Sequence, residues 1–267
     1  MTDTFIGTGF PLDADGQQAV LDVIGVGAPE LWSVLSVETK GFGYLNDRRP
    51  QILYERHIFS KRTNHKFDQT NPDISNTSPG GYGATGGHQY DRLQAAIALN
   101  RQAALESASW GIGQLMGFNC GQAGFDNVES MVAAMMASEN DQLLAMGKWI
   151  VANNLNKPLV ARNWAAFAKG YNGANYAINQ YDKKLAAAYA RYSSGKLPDL
   201  SVRQAQVYLT YLGLNAGGID GLAGPTTYKA VNAFQAANNL PVQNQIDDDL
   251  ISNLKNAIYG LAASAPQ

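Results

Sequence analysis

The chain has 267 residues, 45% of them hydrophobic and 16% charged, with a formal net charge of −2. That length supports one large core and a second small one, while the near-neutral charge excludes a nucleic-acid binder, which needs a basic domain or stripe. The single cysteine, Cys120, excludes an intramolecular disulfide. No apolar run reaches the roughly 18–20 residues of a membrane-spanning helix, so no membrane insertion is expected. The first residues show neither the basic nor the apolar region of a secretory signal, and synthesis in the cytoplasm is expected.

In chain order, residues 16–24 and 29–37 read as short amphipathic helices, with Pro29 suited to a first helical turn. Residues 51–54 are the best strand candidate; continued to Arg56, it would put Glu55 and His57 on one face and Tyr54 and Arg56 on the other. Residues 61–90 are rich in Gly, Asn, Thr, Ser and Pro, fitting either a surface Ω-loop or a loop lining a cleft. Helical patterns follow at 91–105, 126–137 with Asp126 as N-cap, 140–153, 157–168 and 174–192. Met131, Met135 and Met136 at helical spacing read as core, and Cys120 as a buried small residue and not a nucleophile. Gly195 and Pro198 mark a linker near 194–199, dividing the chain into parts 1–196 and 197–267. Beyond it, helices are expected at 201–212, 225–238 and 247–259, with Val231 and Phe234 packing on Leu209 and Leu212. The fold class is therefore mainly α with a small strand region, plus a three-helix C-terminal bundle.

Glu38 is the first candidate for chemistry. It ends an apolar helix, near the negative end of the helix dipole, and Val37 and Phe42 flank it. Both surroundings favour the protonated carboxyl over the charged one, which a general acid requires. A surface carboxylate closing a helix is the plain alternative. Two further segments, Ser109-Trp-Gly-Ile-Gly-Gln-Leu-Met116 and Tyr171-Asn-Gly173, follow it in order. Three histidines (His57, His65 and His88) without paired spacing suggest no metal site, and no cofactor is expected.

A Glu with nearby glycines, then Ser-x-Gly-x-Gly-Gln-Leu-Met, then Tyr-Asn-Gly, resembles the lysozyme superfamily, goose-type lysozymes and lytic transglycosylases in particular. More narrowly, Val37-Glu-Thr-Lys-Gly-Phe-Gly43 and Arg49-Pro-Gln-Ile-Leu-Tyr-Glu-Arg-His-Ile-Phe59 resemble the N-acetylmuramidase family of phage endolysins over about residues 10–192. The resemblance implies a lysozyme-like catalytic domain that hydrolyses the β-1,4 bond after N-acetylmuramic acid. It makes Glu38 the acid, Tyr171 and Asn172 positioning groups, and Ser109, Gln114, Tyr54 and Glu55 candidate substrate contacts. Arg48 departs from the pattern, where Gly is expected before Arg-Pro, and leaves the turn there open. Asp47, Glu55 and Glu106 are each conceivable second carboxylates; none stands out, and related enzymes work with one Glu.

In the C-terminal part, Asp220-Gly-Leu-Ala-Gly-Pro-Thr-Thr227 and Phe234-Gln235 are similar to the peptidoglycan-binding domain 1 family, which implies wall binding with Asp220, Gly221 and Gly224 in its signature. Such a module raises the local concentration of the enzyme on an insoluble polymer. The partner expected is the peptidoglycan glycan strand, engaged by a monomer in the periplasm once the inner membrane is permeabilised. A lytic transglycosylase leaving 1,6-anhydro ends and a non-catalytic wall-binding protein are the rival readings. The tail from Ala257 is not cationic, so weak killing of intact Gram-negative cells is expected.

Overall fold

The computed structural model describes residues 3–38, 41–173 and 176–260, with Glu38 by its backbone alone; the tail 261–267 lies outside the described residues. The fold is mainly α. Helix α1 (Ala14–Ile24) starts where the extended Asp13 accepts the Gly16 amide at 2.8 Å and stops at Gly25, whose φ of 78° needs no Cβ. After a short turn, α2 (Ala28–Glu38) buries Leu31, Trp32, Val34 and Leu35. Strand β1 (Ile52–Tyr54) then runs into α3 (Arg56–Arg62). Two helices, α4 (His88–Leu99) and α5 (Arg101–Glu106), lead to β2 (Ala108–Trp110) and β3 (Leu115–Met116). The strands form an antiparallel sheet of order β1-β2-β3, with Ile52 opposite Trp110 and Ser109 opposite Met116. Next come α6 (Val128–Ala137), α7 (Glu139–Ala152), α8 (Asn156–Val160), α9 (Trp164–Asn172) and α10 (Tyr181–Ser194). The C-terminal part supplies α11 (Leu200–Tyr211), α12 (Pro225–Ala237) and α13 (Asp248–Tyr259).

Several expected boundaries move for local reasons. The helix expected over 91–105 is two, because Asn100 turns extended (φ −160°) and accepts the Ala103 amide at 3.0 Å, ending one helix and capping the next. The cap of α6 is Asn127, not Asp126: its side chain accepts the Ser130 amide at 2.9 Å in a capping box. The segment expected at 157–168 breaks at Arg162 (φ 55°), and Asn163 restarts it by accepting the Ala166 amide at 3.1 Å. Arg48 adopts φ 68°, the left-handed region that favours glycine, which accounts for the Gly expected there. Its guanidinium lies 5.8 Å from the Tyr259 ring.

Two clusters build the N-terminal body. Tyr54, Phe59, Leu93, Trp110, Met131 and Met135 surround the sheet, with Met136 and Cys120 packed at the edge. Val20, Leu31, Leu35, Leu143, Ile150, Phe167 and Leu185 join α1, α2, α7, α9 and α10. In the C-terminal bundle Val231 and Phe234 pack with Leu209 and Leu212. A smaller apolar cluster crosses between the two parts, where Phe42 and Tyr44 meet Val207, Tyr211 and Ile219. Around it, Tyr211 Oη donates to the Gly9 carbonyl at 2.7 Å and Tyr259 Oη to that of Thr8 at 2.8 Å. The bundle is thus docked against the N-terminal body, with Arg203 of α11 fully buried in the contact. No single helix among the described residues is long and apolar enough to cross a membrane.

Candidate active site

The turn between β2 and β3, residues 111–114, is where the motif segments meet. Gly111 has φ 68°, and a Cβ there would come 2.5 Å from Gln142 Cδ, so this turn requires glycine. Gln142 is buried on α7; its Oε1 accepts the Ile112 amide at 2.7 Å, while its Nε2 donates to the carbonyls of Met135 at 2.8 Å and Gly43 at 3.4 Å. One side chain therefore ties the turn to the loop that follows Glu38. That loop is also sewn to the sheet: the Gln51 amide donates to the Gly43 carbonyl and the Gly111 amide to the Gln51 carbonyl, both at 2.8 Å. A Cβ on Gly43 would lie 2.0 Å from Gln142 Oε1. Gly43→Ala is therefore expected to cost about 1–3 kcal/mol through forced displacement of Gln142, a loss readable in urea unfolding; unchanged stability would contradict this packing.

The Tyr-Asn-Gly segment reaches the same turn from α9. Tyr171 Oη donates to the Gly113 carbonyl at 3.1 Å, and its ring stacks on Phe167 at 5.5 Å and meets Trp149 edge-on at 5.6 Å. Asn172, half-buried, is the last residue of α9. Glu38 is the last residue of α2, as expected, and its side chain lies outside the described residues.

Other expected contacts divide. Gln114 is exposed and lines the groove, held at φ 47° by donating to the Gly111 carbonyl at 2.9 Å. Ser109 is buried, and its hydroxyl donates to Gln114 Oε1 at 2.9 Å, so it orients Gln114 and does not face a ligand itself. Tyr54 is a correction: it is fully buried and its hydroxyl donates to the Ile74 carbonyl at 2.9 Å, which makes it core. Glu55 is half-buried at the junction of β1 and α3: the strand ends at Tyr54 and Arg56 already begins α3, so the side-chain alternation expected of a strand continued to Arg56 does not form. Tyr82 Oη donates to Glu55 Oε1 at 3.2 Å, and His57 Nδ1 approaches Oε2 to 3.1 Å without hydrogen-bond geometry. Asp47 pairs with Arg49 at 2.7 Å and Glu106 with Arg62. The histidines are dispersed, and among the described residues no three His, Cys, Asp or Glu side chains gather as a metal site.

The polar stretch 61–90 contributes a groove wall. Gln89, fully buried, donates to the carbonyls of Tyr82 at 2.7 Å and Ala84 at 2.8 Å and accepts the Tyr54 amide at 3.0 Å, which brings Thr85 and Gly86 opposite the hairpin. Between them lies a cavity of about 280 Å³ bounded by Phe42, Gln51, Ile112 and Gln114. Across Phe42 and Gln51 it adjoins an open trough of about 600 Å³, walled on one side by Asp47 and Arg49 and on the other by Thr210, Gly217 and Ile219 of the C-terminal part. Joined, the two have the dimensions of a ligand cleft.

In the C-terminal signature, Gln206 Oε1 accepts the amides of Asp220 at 3.1 Å and Gly221 at 2.9 Å. Gly221 is buried at φ 71°, and a Cβ would meet the Asp199 carbonyl oxygen at 2.8 Å; it closes the turn and does not present a surface. Asp220 is exposed and accepts the Leu222 amide at 2.9 Å, while the half-buried Gly224 precedes Pro225 in the first turn of α12.

Three buried polar residues of this region, Gln142, Gln89 and Glu139, carry no signal in the sequence. Gln142 sits inside an ordinary helical pattern, Gln89 in the polar stretch 61–90 and Glu139 between two expected helices, and only the fold shows what each grips.

These elements make a mainly helical fold whose cleft is floored by a β-hairpin, docked to a three-helix bundle, and likeness to known proteins gives its class: a glycoside hydrolase joined to a peptidoglycan-binding module. A family model described as N-acetylmuramidase matches residues 27–193, and one described as a putative peptidoglycan binding domain matches residues 199–250. The crystal structure of the Burkholderia AP3 phage endolysin is similar at 37% identity, covering 72% of each chain with a TM-score of 0.65. No curated protein sequence matches. The chain belongs to the N-acetylmuramidase family and is a peptidoglycan-hydrolysing enzyme of the endolysin type.

Proposed function

We propose that Glu38 is the general acid that protonates the leaving oxygen of the β-1,4 bond between N-acetylmuramic acid and N-acetylglucosamine, lysing the host cell wall. The observation that carries this reading is the convergence on residues 111–114: Gly43, five residues past Glu38, is tied to the turn through Gln142, and Tyr171 bonds its backbone from the other side. A sugar seated on Gln114 therefore lies beside the end of α2. Tyr171 and Asn172 position the acid and the sugar, Gln114 offers the remaining lone pair of its Oε1 to a substrate donor, and the glycan continues along the trough toward Thr210 and Ile219. Water completes the displacement. Likeness to a phage endolysin supports synthesis in the host cytoplasm and action on the periplasmic wall once the membrane is breached.

Mass spectrometry of digested sacculi tests the bond and the outcome together. Reducing N-acetylmuramic acid ends are expected. Reducing N-acetylglucosamine ends would reject the bond assignment, and 1,6-anhydro ends would reject hydrolysis in favour of transglycosylation.

A further inference from the structure

The wall-binding bundle sends one side chain into the N-terminal body. Arg203 of α11 is fully buried, as is Glu139 at the start of α7. The two form a two-armed pair: Nη2 donates to Glu139 Oε1 at 2.8 Å, and Nη1 pairs with Oε2. The pair does not stop at itself. Arg203 Nη2 also donates to the Gly41 carbonyl at 2.7 Å, and Glu139 Oε1 accepts the Gly43 amide at 3.0 Å. Glu139 Oε2 accepts the Leu12 amide at 3.0 Å as well. Arginine and glutamate therefore hold the backbone on both sides of Phe42, three to five residues beyond Glu38, while Phe42 itself rests against Tyr211 of the bundle at 5.8 Å between ring centres.

We infer that Arg203 is a positioning residue for catalysis: with Glu139 it fixes the backbone at Gly41 and Gly43, three and five residues beyond the acid, so the C-terminal bundle completes the active site as well as anchoring the enzyme. This rests on Glu38 being the acid. A tether acting only through local concentration would act on walls and leave the turnover of small soluble substrates alone. A buried guanidinium holding the acid's loop acts on kcat whatever the substrate, because small displacements of a reacting group are costly.

The test measures kcat and KM on soluble, uncross-linked muropeptide oligomers, with binding to purified sacculi measured separately, in the full chain. Arg203→Met combined with Glu139→Leu keeps the contact apolar and filled, and Arg203→Lys keeps the charge but loses the two-armed grip. Both are expected to lower kcat by about 10–100-fold while KM and sacculus binding stay within roughly twofold. A folded double variant, or a folded Arg203→Lys, with undiminished kcat on soluble oligomers would overturn the inference. So would a loss confined to KM or to sacculus binding. Glu38→Gln, run beside them, separates the two claims. If it is inactive and the Arg203 variants keep their kcat, positioning alone fails. If it retains activity, the acid assignment fails and the positioning claim with it.

Discussion

Glu38→Gln is expected to lose about two to four orders of magnitude in kcat, the usual contribution of a positioned proton donor. The amide has nearly the shape of the carboxyl but no proton to give, so substrate binding should survive. Turbidity loss of Gram-negative cells stripped of their outer membrane measures the activity, circular dichroism confirms the fold, and sacculus pull-down confirms binding. A folded, binding-competent but inactive variant is the expected result. It also rejects a purely wall-binding role, because the wild type then owes its clearance to one carboxyl. Full clearance by the variant removes Glu38 from the mechanism.

Glu139→Ala is expected to be strongly destabilising at the contact between the two parts, because Glu139 is fully buried there. Removing one partner leaves the Arg203 guanidinium buried without its counter-charge, which costs roughly 3–5 kcal/mol. For a chain of this size that corresponds to a fall in Tm of roughly 6–20 °C. The amides of Leu12 and Gly43 lose their acceptor at the same time. Replacing both partners, as Glu139→Leu with Arg203→Met, should recover most of the loss, since filled apolar pairs of similar volume often match or exceed buried ion pairs. Calorimetry reads all three proteins. A Glu139→Ala Tm within a degree or two of the wild type would show that the pair is solvated in solution.

Much of the fold was legible because the signals are local. Pro29 and Pro225 sit in first turns, Gly195 follows a helix end, and the spacing of Val231 and Phe234 names the face that meets Leu209. Where the reading went astray, a short polar side chain outcompeted the helical pattern: Asn100 and Asn163 interrupt apolar periodicity that continues unbroken in the sequence. The site divides along the same line. Glu38, Gln114 and Tyr171 stand in recognisable motifs. Tyr54 and Ser109 stand in the same motifs but serve inward, because Tyr54 lies on the buried face of β1 and Ser109 in the central strand β2, whose three residues are all buried. Gln142, Glu139 and Arg203 escaped notice since most of their partners lie 30 to 162 positions away, and no pattern along the chain announces such a pairing.

The buried guanidinium sets a rule for module shuffling. A chimera joined between residues 194 and 200 inherits Glu139 whatever it receives downstream, and a recipient bundle without an arginine at the corresponding point of its first helix would face a stranded anion. Exchange of lysin parts at this junction therefore calls for a matched arginine in the incoming bundle or a neutralised position 139 in the host body.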